Sequence, residues 1–420
     1  MRKCFWLGGL VFFLLVSLSC NLLGQQASET EEVAASASAP APTASSPPAS
    51  PTTSPSTTLT PTETPTPAPY PDDTPLPQAL AAPLASAPQF TQLDMLTELD
   101  GWAISEQAVL RTTDGGLSWY DLTPAGVTDL GYGTGFTALD DQRAWLLVGD
   151  PADPVNAGTL YHTTDGGLNW QAIPVPFGSG ALSFVNPQQG WLMLSLGVGA
   201  GSMAVAVFRT EDGGSNWQQV YTNDPNLPEA GDSLPLGGLK SGITALDRQT
   251  AWVYGTIYAP GQVYLYKTVD GGQSWMQQSL PLPANAENSE IVVEGPAFFS
   301  LQDGLLALRL YGEAARVALY WTRDGGITWQ LAPALVPEGR QVVMVDMQTA
   351  FIWDGRGFPH TRDGGNSWQA GPPNLDFGDQ FASMDFVNAS TGWVLIADAE
   401  GQRSLYKTTD AGQTWFQLNP

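Results

Sequence analysis

The sequence predicts an all-β fold: a seven-bladed β-propeller of four-stranded antiparallel blades, preceded by a signal peptide and a disordered stalk. A nine-residue motif centred on Asp-Gly-Gly, once Asp-Ala-Gly, recurs seven times, and a second short motif precedes each copy. The 420 residues include 45 Gly and 15 Trp but only 14% charged residues. Successive motif aspartates lie between 39 residues (Asp324 to Asp363) and 58 residues (Asp212 to Asp270) apart, which is the length of a four-stranded blade.

Each copy of the first motif predicts a hairpin turn with a structural aspartate. Glycine adopts a positive φ without steric cost, and the carboxylate accepts hydrogen bonds from N–H groups of the turn. A Thr two positions before the Asp and a Trp five positions after it fall on the flanking strands, where the indole fills space between sheets. Ala411 replaces the first glycine of the last copy, so we expect slight strain there. The aspartates are Asp114, Asp165, Asp212, Asp270, Asp324, Asp363 and Asp410, and the tryptophans are Trp119, Trp170, Trp217, Trp275, Trp329, Trp368 and Trp415.

The second motif, a Gly or Ala followed by a large apolar residue, predicts the start of a second strand. It occurs at Gly101-Trp102, Ala144-Trp145, Gly190-Trp191, Ala251-Trp252, Gly304-Leu305, Ala350-Phe351 and Gly392-Trp393. One blade is therefore expected to have strands at 136–139, 145–148, 160–163 and 169–172. The two motifs and the N-terminal segment account for every tryptophan except Trp321 and Trp353.

The N-terminal segment predicts export. Arg2 and Lys3 precede an apolar run that ends at Cys20, so residues 1–19 are expected to be a lipoprotein-type signal peptide. The stretch 15–20 resembles a bacterial lipobox, which implies lipidation of Cys20 and an exported bacterial lipoprotein on the extracytoplasmic side of the cell membrane. Secretion with cleavage nearby and retention as an uncleaved anchor remain alternatives. Residues 20–88, rich in Ala, Pro, Ser and Thr, predict a disordered stalk, and residues 89–420 the propeller.

Charge and composition exclude several functions. With 41 acidic and 16 basic residues the formal net charge is −25, which disfavours nucleic acid as a partner. Cys4 and Cys20 are the only cysteines, so the remaining sequence has no disulfide, thiol nucleophile or cysteine metal site. His162 and His360 occupy one slot of the repeat and are expected on the surface of outer strands, which leaves no histidine triad or zinc site. No cofactor and no metal are predicted.

The Thr-x-Asp-Gly-Gly-x-x-Trp segments resemble the Asp-box, or BNR, repeat of β-propellers in the sialidase and sortilin superfamily. Together with the Gly-Trp strands they are most similar to the photosystem II stability/assembly factor-like propellers. The resemblance implies that the Asp-box residues are structural and lie away from the binding face. It also implies a role in the assembly or stability of a membrane protein complex. The acidic charge of the domain argues against transferring the family's client to this chain.

Loop lengths predict where binding occurs. The two turns of each blade on the Asp-box face keep nearly constant length, whereas the insertions fall on the opposite face, and variable loops on a rigid scaffold often bind ligands. An acidic surface broken by tyrosines could meet a basic partner or a cation, or could consist of solvated loops. The candidate binding residues on that face are Asp150, Asp153, Asp232, Tyr258, Glu290, Glu294 and Tyr311.

These observations favour a non-enzymatic binding or scaffold protein, expected to be a monomer. Its partner would be a protein complex at or near the membrane, or a surface glycan, and the chain would touch the membrane through its lipid anchor alone. A sialidase is disfavoured because basic residues are too scarce for a cluster of arginines around a substrate carboxylate. A carbohydrate-binding protein or a glycoside hydrolase that uses two carboxylates is the alternative. No catalytic residue is predicted.

Overall fold

A computed structural model describes residues 80–130 and 133–418 of the chain. All described residues belong to one unit of the chain, residues 73–420. The signal peptide, Cys20 and most of the expected stalk lie outside the described residues. Within the described ranges no helix is long and apolar enough to span a membrane.

The described part is all-β, with strands in six sheets and 3-10 helices at Ala286–Asn288 and Gly378–Gln380. Four sheets, which we name A, B, C and F, are four-stranded antiparallel meanders. Sheet A contains β1 Phe90–Met95, β2 Gly101–Ser105, β3 Val109–Thr112 and β4 Tyr120–Asp121. Sheet B contains β5 Gly135–Ala138, β6 Ala144–Asp150, β7 Asp153–Thr163 and β8 Gln171–Val175. Sheet C contains β9 Ala181–Phe184, β10 Gly190–Gly199, β11 Ser202–Thr210 and β12 Gln218–Thr222. Sheet F contains β25 Phe381–Phe386, β26 Gly392–Ala397, β27 Arg403–Thr408 and β28 Phe416–Leu418.

The other two sheets depart from this pattern. Sheet D has nine strands because its two halves, residues 239–277 and 290–337, are joined by the pairing of Thr256 with Val292. Sheet E has three strands, and its expected fourth strand is reduced to one bridge between His360 and Gln369. The pairing therefore confirms four-stranded antiparallel blades in a propeller but not a count of seven. Sheet D contains β13 Leu239–Ala245, β14 Ala251–Thr256, β15 Leu265–Thr268, β16 Met276–Gln277, β17 Glu290–Phe298, β18 Gly304–Tyr311, β19 Arg316–Thr322, β20 Gln330–Leu331 and β21 Val336–Pro337. Sheet E contains β22 Gln341–Met344, β23 Ala350–Trp353 and β24 His360–Thr361.

The core lies between successive sheets, and the cycle closes on itself. Each cluster of buried side chains draws its residues from two neighbouring sheets or from the two halves of sheet D. The cluster that contains Trp119 and Trp393 joins sheet A to sheet F, the first to the last. The first strands of neighbouring sheets, such as β1 and β25, also contact one another. The ring therefore closes by packing, since the pairing leaves each strand of sheets A and F with strands adjacent in sequence.

The Asp-box turns share one hydrogen-bond pattern. In one copy Thr322 Oγ1 donates to Asp324 Oδ1 over 2.8 Å, and the Gly326 N–H donates back to Thr322 Oγ1 over 2.9 Å. The Thr328 N–H then donates to Asp324 Oδ1 over 2.9 Å. The same three bonds recur around Asp114, Asp165, Asp212, Asp270, Asp363 and Asp410. Ala411 adopts φ 62°, the strained left-handed conformation that its place in the motif predicts.

The position three residues before each motif aspartate was expected on the surface of an outer strand, but in the structure it is covered. It pairs across the sheet with the large residue that opens the second strand, as Arg111 does with Trp102, and the next sheet covers it. Arg111, Lys267 and His360 are consequently buried. Arg111 Nη1 donates to the Gly166 carbonyl in the next Asp-box turn over 3.2 Å. The expectation that His162 and His360 lie on the surface of outer strands is therefore wrong for His360, and His162 stacks on Trp145 with ring centroids 4.6 Å apart.

Packing begins several residues before the expected domain boundary at 89. Leu84 bridges Tyr120 of β4 in antiparallel orientation. The Ala85 N–H donates to the Trp119 carbonyl, and the Asp121 N–H to the Pro83 carbonyl, each over 2.8 Å. Residues 83–85 thus extend sheet A at its outer edge.

Candidate binding pocket opposite the Asp-box turns

The Asp-box carboxylates are committed to their turns and are poor candidates for chemistry. Burial alone would raise the pKa of Asp324, but hydrogen bonds from Thr328 and Thr322 outweigh it and lower that pKa to about 2. The pKa of Asp363 is lowered as well, chiefly by the Ser367 hydroxyl. Carboxylates held charged in this way serve as hydrogen-bond acceptors for the turn and cannot act as general acids near neutral pH.

A pocket of about 470 Å³ lies on the face opposite these turns, which we call the loop face. It forms where the ends of strands from sheets D, E and F meet: β18 and β23 end there, and β22 and β25 begin there. The volume is within the range of small-ligand sites. We call this site the loop-face pocket, and its lining residues are Glu294, Arg309, Arg340, Gln341, Trp353, Gly378, Asp379, Phe381 and Ala382.

Arg309 organises one side of the pocket. Its guanidinium forms an ion pair with Glu294 of the neighbouring strand β17. Its Nη1 donates to the Tyr311 hydroxyl and to the Arg340 carbonyl, each over 2.9 Å. The arrangement fixes the carboxylate of Glu294 and the edge of sheet E relative to each other.

Two aromatic rings form another side. Trp353 and Phe381 stack with ring centroids 4.5 Å apart and an interplanar angle of 13°. Trp353 is buried, whereas Phe381 is half-buried. Close by, Gln341 Oε1 is buried and has no hydrogen-bond partner in the described structure. A buried acceptor without a partner carries a desolvation cost, so the pocket favours a ligand that donates a hydrogen bond at this point.

The rim carries charges of both signs. Arg340 is exposed, and its guanidinium lies against Gly355 in the turn that also bears the exposed Arg356. Asp379 is exposed at the opposite edge, in the short helix before β25. The pocket therefore offers guanidinium donors, a carboxylate, an amide oxygen and an aromatic surface to one ligand. A polypeptide segment with polar and apolar groups matches this combination.

The structure brings only part of the predicted binding face together. Glu294 lines the pocket, Tyr311 contacts it through Arg309, and Glu290 lies opposite Tyr311 in the strand register. Asp150 and Asp153 pair at the tip of a hairpin, because β6 and β7 extend through the insertion that was expected to be a loop. Asp232 and Tyr258 are exposed in other segments, and Tyr258 lies against the hairpin tip at Gly201.

Sequence reasoning missed Arg309, Arg340, Trp353 and Phe381. Trp353 could have been singled out from the sequence, since it is one of the two tryptophans that neither repeat motif explains.

The described residues contain no group of three or more His, Cys, Asp and Glu side chains placed to hold a metal ion.

Residues 320–331, which contain the box of Asp324, match the BNR/Asp-box repeat family. The Asp-box resemblance and the propeller-like arrangement are thereby confirmed. The protein is thus one that carries Asp-box repeats on an all-β, propeller-like fold.

Among curated proteins, the photosystem II assembly lipoprotein Ycf48 of Synechococcus sp. (strain CC9902) is 26% identical over 156 residues. The match covers 34% of this chain and 43% of that protein, so the chain spans less than half the length of the relative it matches. A solved structure of Ycf48 bound to a D1 peptide is 18% identical and covers 67% of this chain and 91% of that one, with a TM-score of 0.32.

Carbohydrate-active proteins are also among the similar solved structures. A polysaccharide lyase of family PL25, an ulvan lyase, is 9% identical and covers 79% of this chain and 94% of that one, with a TM-score of 0.45. The GH74 xyloglucanase from Xanthomonas campestris is 16% identical and covers 80% of this chain and 63% of that one, with a TM-score of 0.32. At these identities and scores the similarities to solved structures do not discriminate between functions.

Proposed function

We propose that this chain is a non-enzymatic, lipid-anchored extracytoplasmic scaffold that binds a segment of a membrane protein complex in the loop-face pocket. Cys20 would carry the lipid, and the residues after it would hold the domain off the membrane. The domain would be a monomeric ring of seven blades, if the two halves of sheet D count separately and sheet E counts as a blade with a reduced fourth strand. The closed cycle of core clusters between successive sheets supports this count.

The observation that carries the proposal is the composition of the pocket. The charged side chains of Arg340 and Asp379 lie at the rim, beside the stacked rings of Trp353 and Phe381. The buried acceptor Gln341 Oε1 has no hydrogen-bond donor within the described structure. Backbone amides and mixed side chains of a polypeptide can satisfy all of these groups at once. The partial similarity to a protein named as a photosystem II assembly lipoprotein supports a role in the assembly or stability of a membrane complex.

The alternative is a carbohydrate-binding or glycoside-cleaving protein. One observation favours it: two carboxylates, Glu294 and Asp379, line the same pocket as an aromatic surface. However, a glycosidase needs two carboxyl groups that are free to act on one glycosidic bond, whereas Glu294 is engaged in an ion pair with Arg309 and Asp379 lies exposed at the rim. We therefore favour the scaffold over the enzyme.

Site-specific photocrosslinking in membranes of the native host tests the proposal. A photoreactive residue at position 379 should yield adducts with one integral membrane protein, and the substitution Arg340→Glu should abolish them. The matched control places the same photoreactive residue at position 153, on the loop face but outside the pocket, and should yield no such adduct. Equal adducts at both positions, or glycan turnover that depends on Glu294, would overturn the scaffold proposal.

A further inference from the structure

Sheets A and F meet at a seam that is held by side chains. Near the Asp-box turns, Trp393 Nε1 donates to the Gly115 carbonyl over 3.0 Å, and Lys407 Nζ donates to the Glu98 carbonyl over 3.1 Å. Asn388 Nδ2 adds a bond of 2.6 Å to Glu98 Oε1. Because the sheets exchange no strand, the integrity of the ring at this point depends on such contacts.

Closer to the ring axis, two carboxyl groups face the same seam. Asp94 on β1 and Asp385 on β25 hold equivalent register positions, each opposite the tryptophan of its second strand, Trp102 and Trp393. The Met95 N–H donates to Asp385 Oδ2 over 2.6 Å, which ties the two first strands together. The carboxylate of Asp385 is therefore part of the closure itself.

The other sheets place uncharged residues at this register position. They are Thr137, Ser183, Thr244, Ala297 and Val343. Where sheets C and D meet, the Ala245 N–H donates to Ser183 Oγ over 3.0 Å, which reproduces the bond of Met95 with a hydroxyl acceptor. At this register position, sheets A and F therefore carry acidic residues, whereas the other described sheets carry neutral ones.

Nothing nearby neutralises the pair. Strands β2, β22 and β26, which pack against β1 and β25, have no titratable side chain, and no described lysine or arginine forms an ion pair with either acid. Two charged residues lie farther along the seam and already have partners across it. Glu98 Oε1 accepts a hydrogen bond from Asn388 of sheet F, and Lys407 Nζ donates to the Glu98 carbonyl. Burial raises the pKa of both Asp94 and Asp385. The hydrogen bond from the Met95 N–H opposes this rise at Asp385, whereas the charge of Asp94 adds to it. Both groups keep some exposed surface, so protons can reach them.

We propose that Asp94 and Asp385 form a proton-operated latch, which holds sheets A and F together while the pair retains a proton and loosens the seam when both groups are ionised. Two like charges in a poorly solvated site repel each other, whereas protonation of either group removes the repulsion. Separation of the sheets admits water to both carboxylates. The open seam is therefore favoured as pH rises. Strand β25 also carries Phe381, so loosening of the seam reaches a wall of the loop-face pocket.

Hydrogen exchange of the full chain tests the latch. The protection factors of the β1 and β25 amides, above all that of Met95, should fall at least about tenfold between pH 5 and pH 8, the effect of one unit of pKa displacement. The isosteric substitutions Asp94→Asn and Asp385→Asn together should abolish this fall. The amide of Ala245, at the equivalent seam with Ser183, serves as the internal control and should change little.

Two further variants keep the outcome interpretable. Asp94→Thr together with Asp385→Ser copies the neutral side chains of the seam at Thr244 and Ser183 and should also abolish the pH dependence, even if the Asn pair folds poorly. Asp232→Asn removes an exposed carboxylate elsewhere and should behave as the wild type does. A pH dependence that survives in the folded latch variants, or that is equal at the Ala245 amide, would overturn the latch. Neither result depends on what the loop-face pocket binds.

Discussion

Trp353 and Phe381 stack with their rings 4.5 Å apart, and this contact joins the second strand of sheet E to the first strand of sheet F at the loop-face pocket. Trp353 lies almost wholly inside the protein, whereas one side of Phe381 is open. The pair therefore serves both the packing between two sheets and the surface offered to a ligand.

Replacement of Phe381 should affect stability and binding together. Phe381→Ala removes the stack and part of the interface between sheets, and we expect a loss of about 2 kcal/mol in the free energy of unfolding. Urea denaturation measures the first effect, and crosslinking from position 379 measures the second. Tyr258→Ala, which truncates an exposed aromatic residue on the same face, should leave both unchanged. An unaltered urea midpoint for Phe381→Ala would contradict the packing role of the ring.

Arg111 should be worth far more to stability than a surface arginine. It is buried and donates to the Gly166 carbonyl in the next Asp-box turn. Its Nη2 also forms ion pairs with Asp100 Oδ1 at 3.5 Å and with Asp141 Oδ2 at 3.6 Å. Arg111→Gln should lower the free energy of unfolding by about 2 kcal/mol, as expected for a lost charged hydrogen bond. Arg248→Gln, at an exposed turn, is the matched control. Equal melting temperatures for the two variants would show that the contact of Arg111 with the next Asp-box turn does not stabilise the fold.

The Asp-box turns should weaken in acid. The pKa of Asp324 is lowered to about 2, since the hydrogen bonds of its turn outweigh the effect of burial. A carboxyl group with a depressed folded-state pKa contributes stability above its unfolded value near 3.8, and this contribution is lost as pH falls toward 2. Thermal melts of Asp324→Asn should therefore lie below the wild type at pH 6 and approach it at pH 2. A constant difference across this range would show that ionisation of Asp324 is irrelevant.

Lys240 should control the long connection between sheets C and D. Its buried ammonium has three N–H donors and lies 2.7 to 3.1 Å from four carbonyl oxygens, those of Met203, Pro235, Leu236 and Gly238. Lys240→Met would leave these acceptors unpaired at a cost of about 3 kcal/mol. Limited proteolysis should then cleave within residues 223–238 much faster than in the wild type. Resistance equal to the wild type would mean that the connection is ordered by other contacts.

Membrane attachment should depend on Cys20. Cys20→Ser prevents lipidation, so the variant should move from the membrane fraction to the soluble extracytoplasmic fraction. The substitution Cys4→Ser, within the expected signal peptide, should not change the distribution. If Cys20→Ser remains in the membrane fraction, the lipobox interpretation is wrong and retention of the signal segment becomes the better explanation.

The repeats could be predicted because each is a local object. Thr322, Asp324 and Gly326 lie within five residues, and their hydrogen bonds follow from turn geometry alone. The strands of sheet B were expected at 136–139 and 145–148 and occur at Gly135–Ala138 and Ala144–Asp150 for the same reason. The pairing that merges the halves of sheet D depends on a single contact between strands, which no local pattern specifies.

The loop-face pocket could be predicted only in part. Glu294 and Tyr311 were expected on the loop face, where the structure places them, but the other residues of the pocket, Arg309, Trp353 and Phe381, come from three different sheets. Their meeting depends on the angle at which neighbouring sheets pack, and this information is absent from residue spacing. The slot of Arg111 was misplaced on the surface because its burial is due to the next repeat and not to its own.

The pairing of residues 83–85 with β4 determines how the domain responds to a pulling force on its N-terminal side. A pull on the preceding residues first meets the bonds from Ala85 to Trp119 and from Asp121 to Pro83 at an outer edge. Such bonds break singly when a strand is peeled away, whereas the ladder between β1 and β2 lies behind them. Tension on the chain before residue 83 would therefore release residues 83–85 from β4 before it reaches the ring.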